Sequence, residues 1–139
     1  MTLGDAYPVI LAALCVWREA RDQSEAARRG IWHVLQNRVG NPMFRPSLVR
    51  VVLQPWQFSS FNAGDPNATK FPNEAVALDW IAWQEILEIA SNPGDDPTGF
   101  SCYYESFPIE QLAEVRAKSP WFAEDKLSCQ IDQVRFYRA

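Results

Sequence analysis

One histidine, His33, is all that the 139 residues hold. A His-based metal site needs several convergent ligands, and a Cys-His-Asn triad needs partners set around its imidazole, so both classes are set aside. No metal and no cofactor are expected. Three cysteines, Cys15, Cys102 and Cys129, cannot all pair, and no regular spacing links them. Free thiols in a reducing compartment are expected, with a meeting of Cys102 and Cys129 across late strands left open. Basic charge is scarce: 13 Lys and Arg stand against 17 Asp and Glu, and they do not cluster beyond Arg28-Arg29. Nucleic acid, whose phosphates demand a basic face, is therefore not an expected partner. The N-terminal apolar run is too short to span a membrane and lacks the basic start of a signal peptide. It reads as a core helix, so synthesis in the cytoplasm without membrane insertion is the expectation. No repeat, linker or biased tract divides the chain. Residues 1–139 are expected to form a single, monomeric catalytic domain, long enough for a proper core.

Aromatic residues, by contrast, are plentiful: six Trp, eight Phe and four Tyr. They suit a core, and they equally suit a groove that stacks on sugar rings. From Pro8 to Trp17 there is no charge at all. At about 100° per residue, Leu11, Leu14 and Cys15 fall on one side of a helix, and Val9, Val16 and Trp17 on the other. A helix apolar all round is buried. Glu19 is the first acid on it, and its helical neighbours Cys15, Val16, Asp22 and Gln23 include no cation. Two readings stand: a structural carboxylate with a distant partner, or an acid whose pKa is raised by burial and which can protonate a leaving group.

In chain order, Pro8 is expected in the first turn of helix one, which runs to about Arg21. Asp22 and Glu25 form the pattern of a capping box for helix two. That helix, Ser24 to Val39, turns Ala27, Ile31, Val34 and Leu35 inward and ends at Gly40. Ser47 caps a short helix, Leu48 to Leu53. The polar-aromatic stretch from Gln54 to Asn62, which includes Trp56, reads either as a packed loop or as a cleft wall. Asn73 to Ser91 is a helix with Val76, Trp80, Trp83, Leu87 and Ala90 at helical spacing, and Pro93-Gly94 ends it. Phe100 to Glu105 reads as a strand, Ile109 to Ala117 as a short helix, and Leu127 to Tyr137 as a second strand antiparallel to the first.

Five motifs then fall in a recognisable order. Trp17-Arg18-Glu19-Ala20-Arg21 ends the first helix and Asn37-Arg38-Val39 ends the second. Gln57-Phe58-Ser59 follows, then Asp96-Pro97-Thr98-Gly99 leading to Tyr103-Tyr104, and finally Phe136-Tyr137. In this the chain resembles the cell-wall hydrolases typified by the spore cortex-lytic enzymes (SleB-type), with a phage or prophage endolysin-like member as the nearest description. Where that family has glycine before the glutamate, Arg18 stands here, and Gln23 stands for a second acid. Phe100 replaces the second glycine after the aspartate-proline-threonine motif. Asp132 and Val134 stand for the closing glycine and histidine.

The resemblance implies an α+β, lysozyme-like fold, mostly helical with a small antiparallel hairpin late in the chain. It implies cleavage of the β-1,4 bond between N-acetylmuramic acid and N-acetylglucosamine in peptidoglycan glycan strands. Glu19 would be the catalytic acid, and Gln57, Phe58, Ser59, Tyr103, Tyr104 and Asn37 would bind substrate. A glycosidase ordinarily needs two carboxylates, whereas a lytic transglycosylase needs one, because the muramic acid C6 hydroxyl is its nucleophile. No second acid is evident, and Arg28 stands nine residues after Glu19, where a phage-type lysozyme places an acid or cysteine. Transglycosylation is therefore favoured. True hydrolysis and a non-enzymatic glycan-binding or phage structural module on the same fold remain as alternatives. A purely structural domain would require Glu19 to be paired with a buried arginine. An enzyme of this kind lacking an export signal would reach the wall after holin-mediated release.

Overall fold

The first helix starts at Thr2, well ahead of the proline. A computed structural model of the chain describes residues 2–55 and 57–139, so that Trp56 lies outside the described residues. The Thr2 hydroxyl accepts from Asp5 N at 3.2 Å while the Asp5 carboxylate accepts from Thr2 N at 3.1 Å, a complete capping box for α1 (Leu3–Ala20). Pro8 consequently lies inside the helix, where it removes one backbone donor. The loss is tolerable because the carbonyl it leaves belongs to Gly4, at an exposed position open to water. The second half of α1 is buried as expected of a helix apolar on every side: Ala12, Ala13, Cys15, Val16, Trp17 and Ala20.

A turn at Arg21–Gln23 leads into α2 (Glu25–Val39). Its cap is Ser24, which accepts from Ala27 N at 3.1 Å, and not Asp22. Glu25 is spent on Arg29 one turn on, at 2.7 Å, so the expected capping box does not form. Ala27, Ile31, Val34 and Leu35 are buried as expected. Gly40 closes the helix with φ −79°, in the right-handed region, so the expected left-handed glycine end is not used. Ser47 caps α3 (Leu48–Val52) as expected, accepting from Arg50 N.

The fourth helix, α4 (Ala77–Ser91), begins later than the expected Asn73, and its buried stripe is Ala82, Ile86 and Ile89. Trp83, Leu87 and Ala90 only flank the core, and Val76 is exposed. The period was right and the phase was not. Apolar residues occupy several faces of this helix, so spacing alone could not say which face meets α1 and α2.

The remaining elements are β1 (Tyr103–Glu105), α5 (Leu112–Lys118), β2 (Leu127–Ile131) and β3 (Val134–Tyr137). The expected short helix is present as a 3-10 turn, Ile109–Gln111, running into α5. The expected single final strand is a hairpin reversed by Asp132, at φ 52°. The sheet is thus three antiparallel strands in the order β1-β3-β2, with Tyr104 opposite Phe136 and Gln130 opposite Arg135. The fold is α+β, mostly helical, with the helices against a small late sheet. Because β3 lies between the segments bearing Cys102 and Cys129, those thiols do not meet, and all three cysteines are free.

Helix and sheet touch at a glycine. A Cβ on Gly30 of α2 would lie 2.6 Å from Cζ of the fully buried Phe136, so only glycine lets β3 sit this close. Ahead of β1 the expected strand is a turn organised by Asp96, whose carboxylate accepts from Thr98 N, Thr98 Oγ1, Phe100 N and Asn37 Nδ2. Burial pushes this carboxyl up, but the hydrogen bonds outweigh it and hold Asp96 below its ordinary value. Phe100 leaves the turn at φ 64°, a left-handed conformation unusual for a bulky residue. Of the three positions where the resembling family has glycine, Phe100 and Asp132 keep the left-handed backbone that glycine would favour, while Arg18 is helical.

Candidate active site

Glu19 lies in the last turn of α1, where the tight corner into α2 holds it at the edge of the core. Its one hydrogen-bond partner among the described residues is Tyr104 of β1, whose hydroxyl donates to Oε1 at 2.9 Å. No lysine or arginine among the described residues pairs with it, which removes the purely structural reading. Burial raises its pKa above the ordinary 4.5. The Tyr104 hydrogen bond opposes the rise, the Asp65 charge adds to it, and the Arg38 charge subtracts from it. The contrast is Glu105, also buried, which is taken up by Arg135 at 2.8 Å and by the Tyr137 hydroxyl at 3.1 Å. Of these two acids, only Glu19 is without a cation.

Beside it opens a cleft of about 400 Å³, whose lining includes Glu19, Arg38, Phe44, Gln57, Phe58, Tyr103, Tyr104 and Trp121. Five of the residues expected at the site from sequence thus meet there: Glu19, Gln57, Phe58, Tyr103 and Tyr104. Ser59 and Asn37 do not. Ser59 is exposed and opens a 3-10 turn, Ser59–Phe61, outside the cleft lining. Asn37 donates to Asp96 Oδ2 and to the Ser101 carbonyl, both at 2.9 Å, and so ties the 96–101 turn to α2. Neighbours on a helix point about 100° apart, which sends Asn37 to that turn and Arg38 to the cleft.

Arg38 is the residue that sequence reasoning passed over. It is only 5% exposed, with Nε donating to the Cys102 carbonyl at 2.7 Å and Nη1 to Gln57 Oε1 at 3.0 Å. Its guanidinium sits 5.0, 5.1 and 5.2 Å from the ring centres of Phe44, Phe58 and Tyr103. Burial lowers its pKa, and the surrounding tyrosines and thiols favour the charge. A signal was present: Arg38 continues the helical stripe of Ile31 and Val34, and a cation on a buried stripe needs a reason. Trp121 stacks on Tyr103 at 6.2 Å and 25° and extends the aromatic wall, a contact that no local pattern encodes.

Arg18, next to Glu19, has a defined role. Its Nε, Nη1 and Nη2 donate to the carbonyls of Lys70, Ser60 and Ala68, at 3.1, 3.3 and 3.1 Å. Its guanidinium also lies 4.8 Å from the Phe61 ring centre and 4.9 Å from that of Phe71. It fastens the loop that follows Phe58 onto the end of α1. Arg28 is likewise occupied, by the Gln23 carbonyl and Glu85. Among the described residues no group of three His, Cys, Asp or Glu is placed to hold a metal ion. His33 Nε2 lies 3.1 Å from the Pro93 carbonyl, remote from any such set. No helix among the described residues is long and apolar enough to cross a membrane.

An α+β protein with one unpaired, half-buried carboxyl beside an aromatic, amide-bearing groove is a candidate acid catalyst on a polymer that fits the groove. The chain belongs to the Cell Wall Hydrolase family, whose model matches residues 22–137. Arg38, Gln57, Tyr103 and Tyr104 fall within that match, and Glu19 lies just ahead of it. Neither the curated proteins nor the solved structures contain a match to this chain. Membership in the family makes degradation of the peptidoglycan wall the reaction class, and the resemblance to the SleB-type enzymes holds at that level.

Proposed function

We propose that the chain cleaves the β-1,4 bond between N-acetylmuramic acid and N-acetylglucosamine, with Glu19 as the single general acid and base. The observation that carries this is the state of Glu19: it is the only carboxylate among the described residues that lines the cleft, it has no cation, and burial favours its protonated form. Tyr104 occupies Oε1, leaving Oε2 to carry the proton. Glu19 protonates the glycosidic oxygen as the bond to C1 breaks, and an oxocarbenium-like sugar forms in the groove. The resulting carboxylate then takes the proton from the muramic acid C6 hydroxyl while that oxygen bonds to C1. One carboxyl serves both steps, which supports a lytic transglycosylase. Hydrolysis by water is the second reading, and it would leave Glu19 without a second carboxylate among the described residues that line the cleft.

Mass spectrometry of digested sacculi separates the two. Products ending in 1,6-anhydro-muramic acid are expected. Reducing ends would mean hydrolysis, and release of no soluble product at all would leave only a glycan-binding module.

Tyr104→Phe supplies a second test. Its hydroxyl is the group whose hydrogen bond lowers the Glu19 pKa, so its removal lets that pKa rise further. The alkaline limb of the kcat/KM profile is expected to move to higher pH, while activity falls less than on loss of Glu19. An unmoved limb would dissociate that titration from Glu19.

A further inference from the structure

Tyr103 and Tyr104 of β1 line the cleft, and just past the other end of that strand lies a second opening of about 330 Å³. The one cation in its lining is Arg135, only 11% of whose side chain is exposed. Arg135 Nη1 donates to both oxygens of Glu105, at 2.8 and 3.1 Å, and to the Phe107 carbonyl at 3.1 Å. Nε and Nη2 form the other edge of the guanidinium fork. That edge bonds to nothing among the described residues, and neither nitrogen is sealed from solvent. The positive charge is not spent either. The Glu105 carboxylate also accepts from the Tyr137 hydroxyl at 3.1 Å, and that hydroxyl accepts from Arg116 Nη2 at 3.0 Å. Two guanidinium groups thus converge on one carboxylate and leave a cation in excess, on a chain whose net charge is -4. Glu110 and Asp132 are near in sequence, but neither lines the pocket.

A planar pair of N–H donors matches a carboxylate, which accepts along two parallel bonds. Beside that edge stand the exposed apolar side chains of Phe107 and Ile109. Gln130 and Gln133 complete the lining with amides able to bond a peptide backbone. Together these groups suit a carboxylate on a short peptide of small apolar residues. We infer that the pocket holds the terminal carboxylate of the peptide stem that peptidoglycan carries, so that the protein binds the wall at two chemically different points. Position favours the stem over the end of some other protein. Tyr104 and Phe107 are three residues apart, so their Cα atoms are separated by at most about 11 Å. A stem of a few residues, hanging from a sugar in the cleft, is long enough to cover that separation. This rests on the glycan-strand reading above, but the pocket's ligand can be tested without any glycan.

The probe is N-acetyl-D-alanyl-D-alanine, whose stereochemistry belongs to the wall, titrated into the protein and followed by backbone amide NMR. Its C-terminal amide and its L,L isomer are the comparisons. Signals of residues 106–109 and 130–135 are expected to move, and the D,D acid to bind at least as tightly as the L,L isomer. The amide is expected to bind about tenfold or more weakly, the worth of a hydrogen bond to a charged group. Arg135→Lys keeps a cation for Glu105 but has no second edge, and is expected to lose most of the preference for acid over amide. Gln133→Glu leaves the Arg135–Glu105 pair in place and sets a competing carboxylate in the lining, which is expected to weaken the acid by a similar factor. Thermal melts show whether each variant is folded, and either folded variant is sufficient for the comparison. Equal binding of acid and amide, tighter binding of the L,L isomer, no shifts in these two segments, or unchanged affinity in a folded variant would overturn the assignment. Failure to release muropeptides from sacculi would instead count against the proposed cleavage alone.

Discussion

Glu19→Gln is expected to lower wall lysis by roughly 10²-fold to 10⁴-fold or more, the range assigned to loss of a general acid. The same change is expected to leave the fold intact and to raise its stability at neutral pH. The sign follows from the direction of the shift. Folding raises the pKa of Glu19 above its ordinary 4.5, so the folded protein holds that proton more tightly than the unfolded chain does. Stability is therefore lost as pH climbs from 4.5 through the raised folded value, and it is fully present below 4.5. Glutamine keeps an oxygen for the Tyr104 hydroxyl and carries no charge, so it escapes that loss. Thermal melts of both proteins should separate at neutral pH and converge below the ordinary carboxyl value, while turbidity of a sacculus suspension reads lysis. A Glu19→Gln protein that clears sacculi at the parental rate would remove Glu19 from the reaction. Activity itself should decline as pH rises through the raised value, because the acid must enter the cycle protonated.

Arg18→Ala is expected to be the most destabilising change near the site, by about 2–4 kcal/mol. Each hydrogen bond from a charged donor is worth about 1.5–3 kcal/mol, and Arg18 makes three, to Lys70, Ser60 and Ala68. The total stays below their sum because removing the arginine also removes the cost of desolvating its charge, which already lowers its pKa. Chemical denaturation measures this directly. Activity should fall with stability, since the loop that Arg18 fastens carries Asp65 and follows directly on Phe58 of the cleft wall. A variant as stable as the parent would mean that the three carbonyls are not what holds the loop.

The α+β class was legible from the helical periods of the first part of the chain and the strand patterns of the last, and the family from motif order. Caps were read less reliably than periods. Thr2 outcompeted Pro8 and Ser24 outcompeted Asp22, because a cap is decided by which side chain reaches a free N–H once the chain has turned. The phase of α4 was missed because a helix apolar on several faces carries no information about its neighbour. The antiparallel pairing late in the chain was legible, but the division of the last strand into β2 and β3 was not, because Asp132, which can adopt a left-handed turn, does not announce one as glycine does. At the site, Glu19 stood out as an acid without a helical partner on an apolar helix. Ser59 and Asn37 were chosen because they belong to motifs, yet the motif member that reaches the cleft from α2 is Arg38.

By itself, the sequence determined the helical character of the first ninety or so residues, the burial of α1 and the isolation of Glu19 among its helical neighbours. These are local properties, set by a period of about 3.6 residues and by which residue types can stand side by side on one turn. Only the tertiary structure decided that no distant arginine among the described residues completes an ion pair with Glu19, that Tyr104 reaches it from β1, that Arg18 holds carbonyls instead of a carboxylate, and that Arg38 donates to Gln57. Each of those facts joins residues far apart in the chain, and no spacing along one helix or strand can state which of two neighbouring side chains will face a partner brought in from elsewhere.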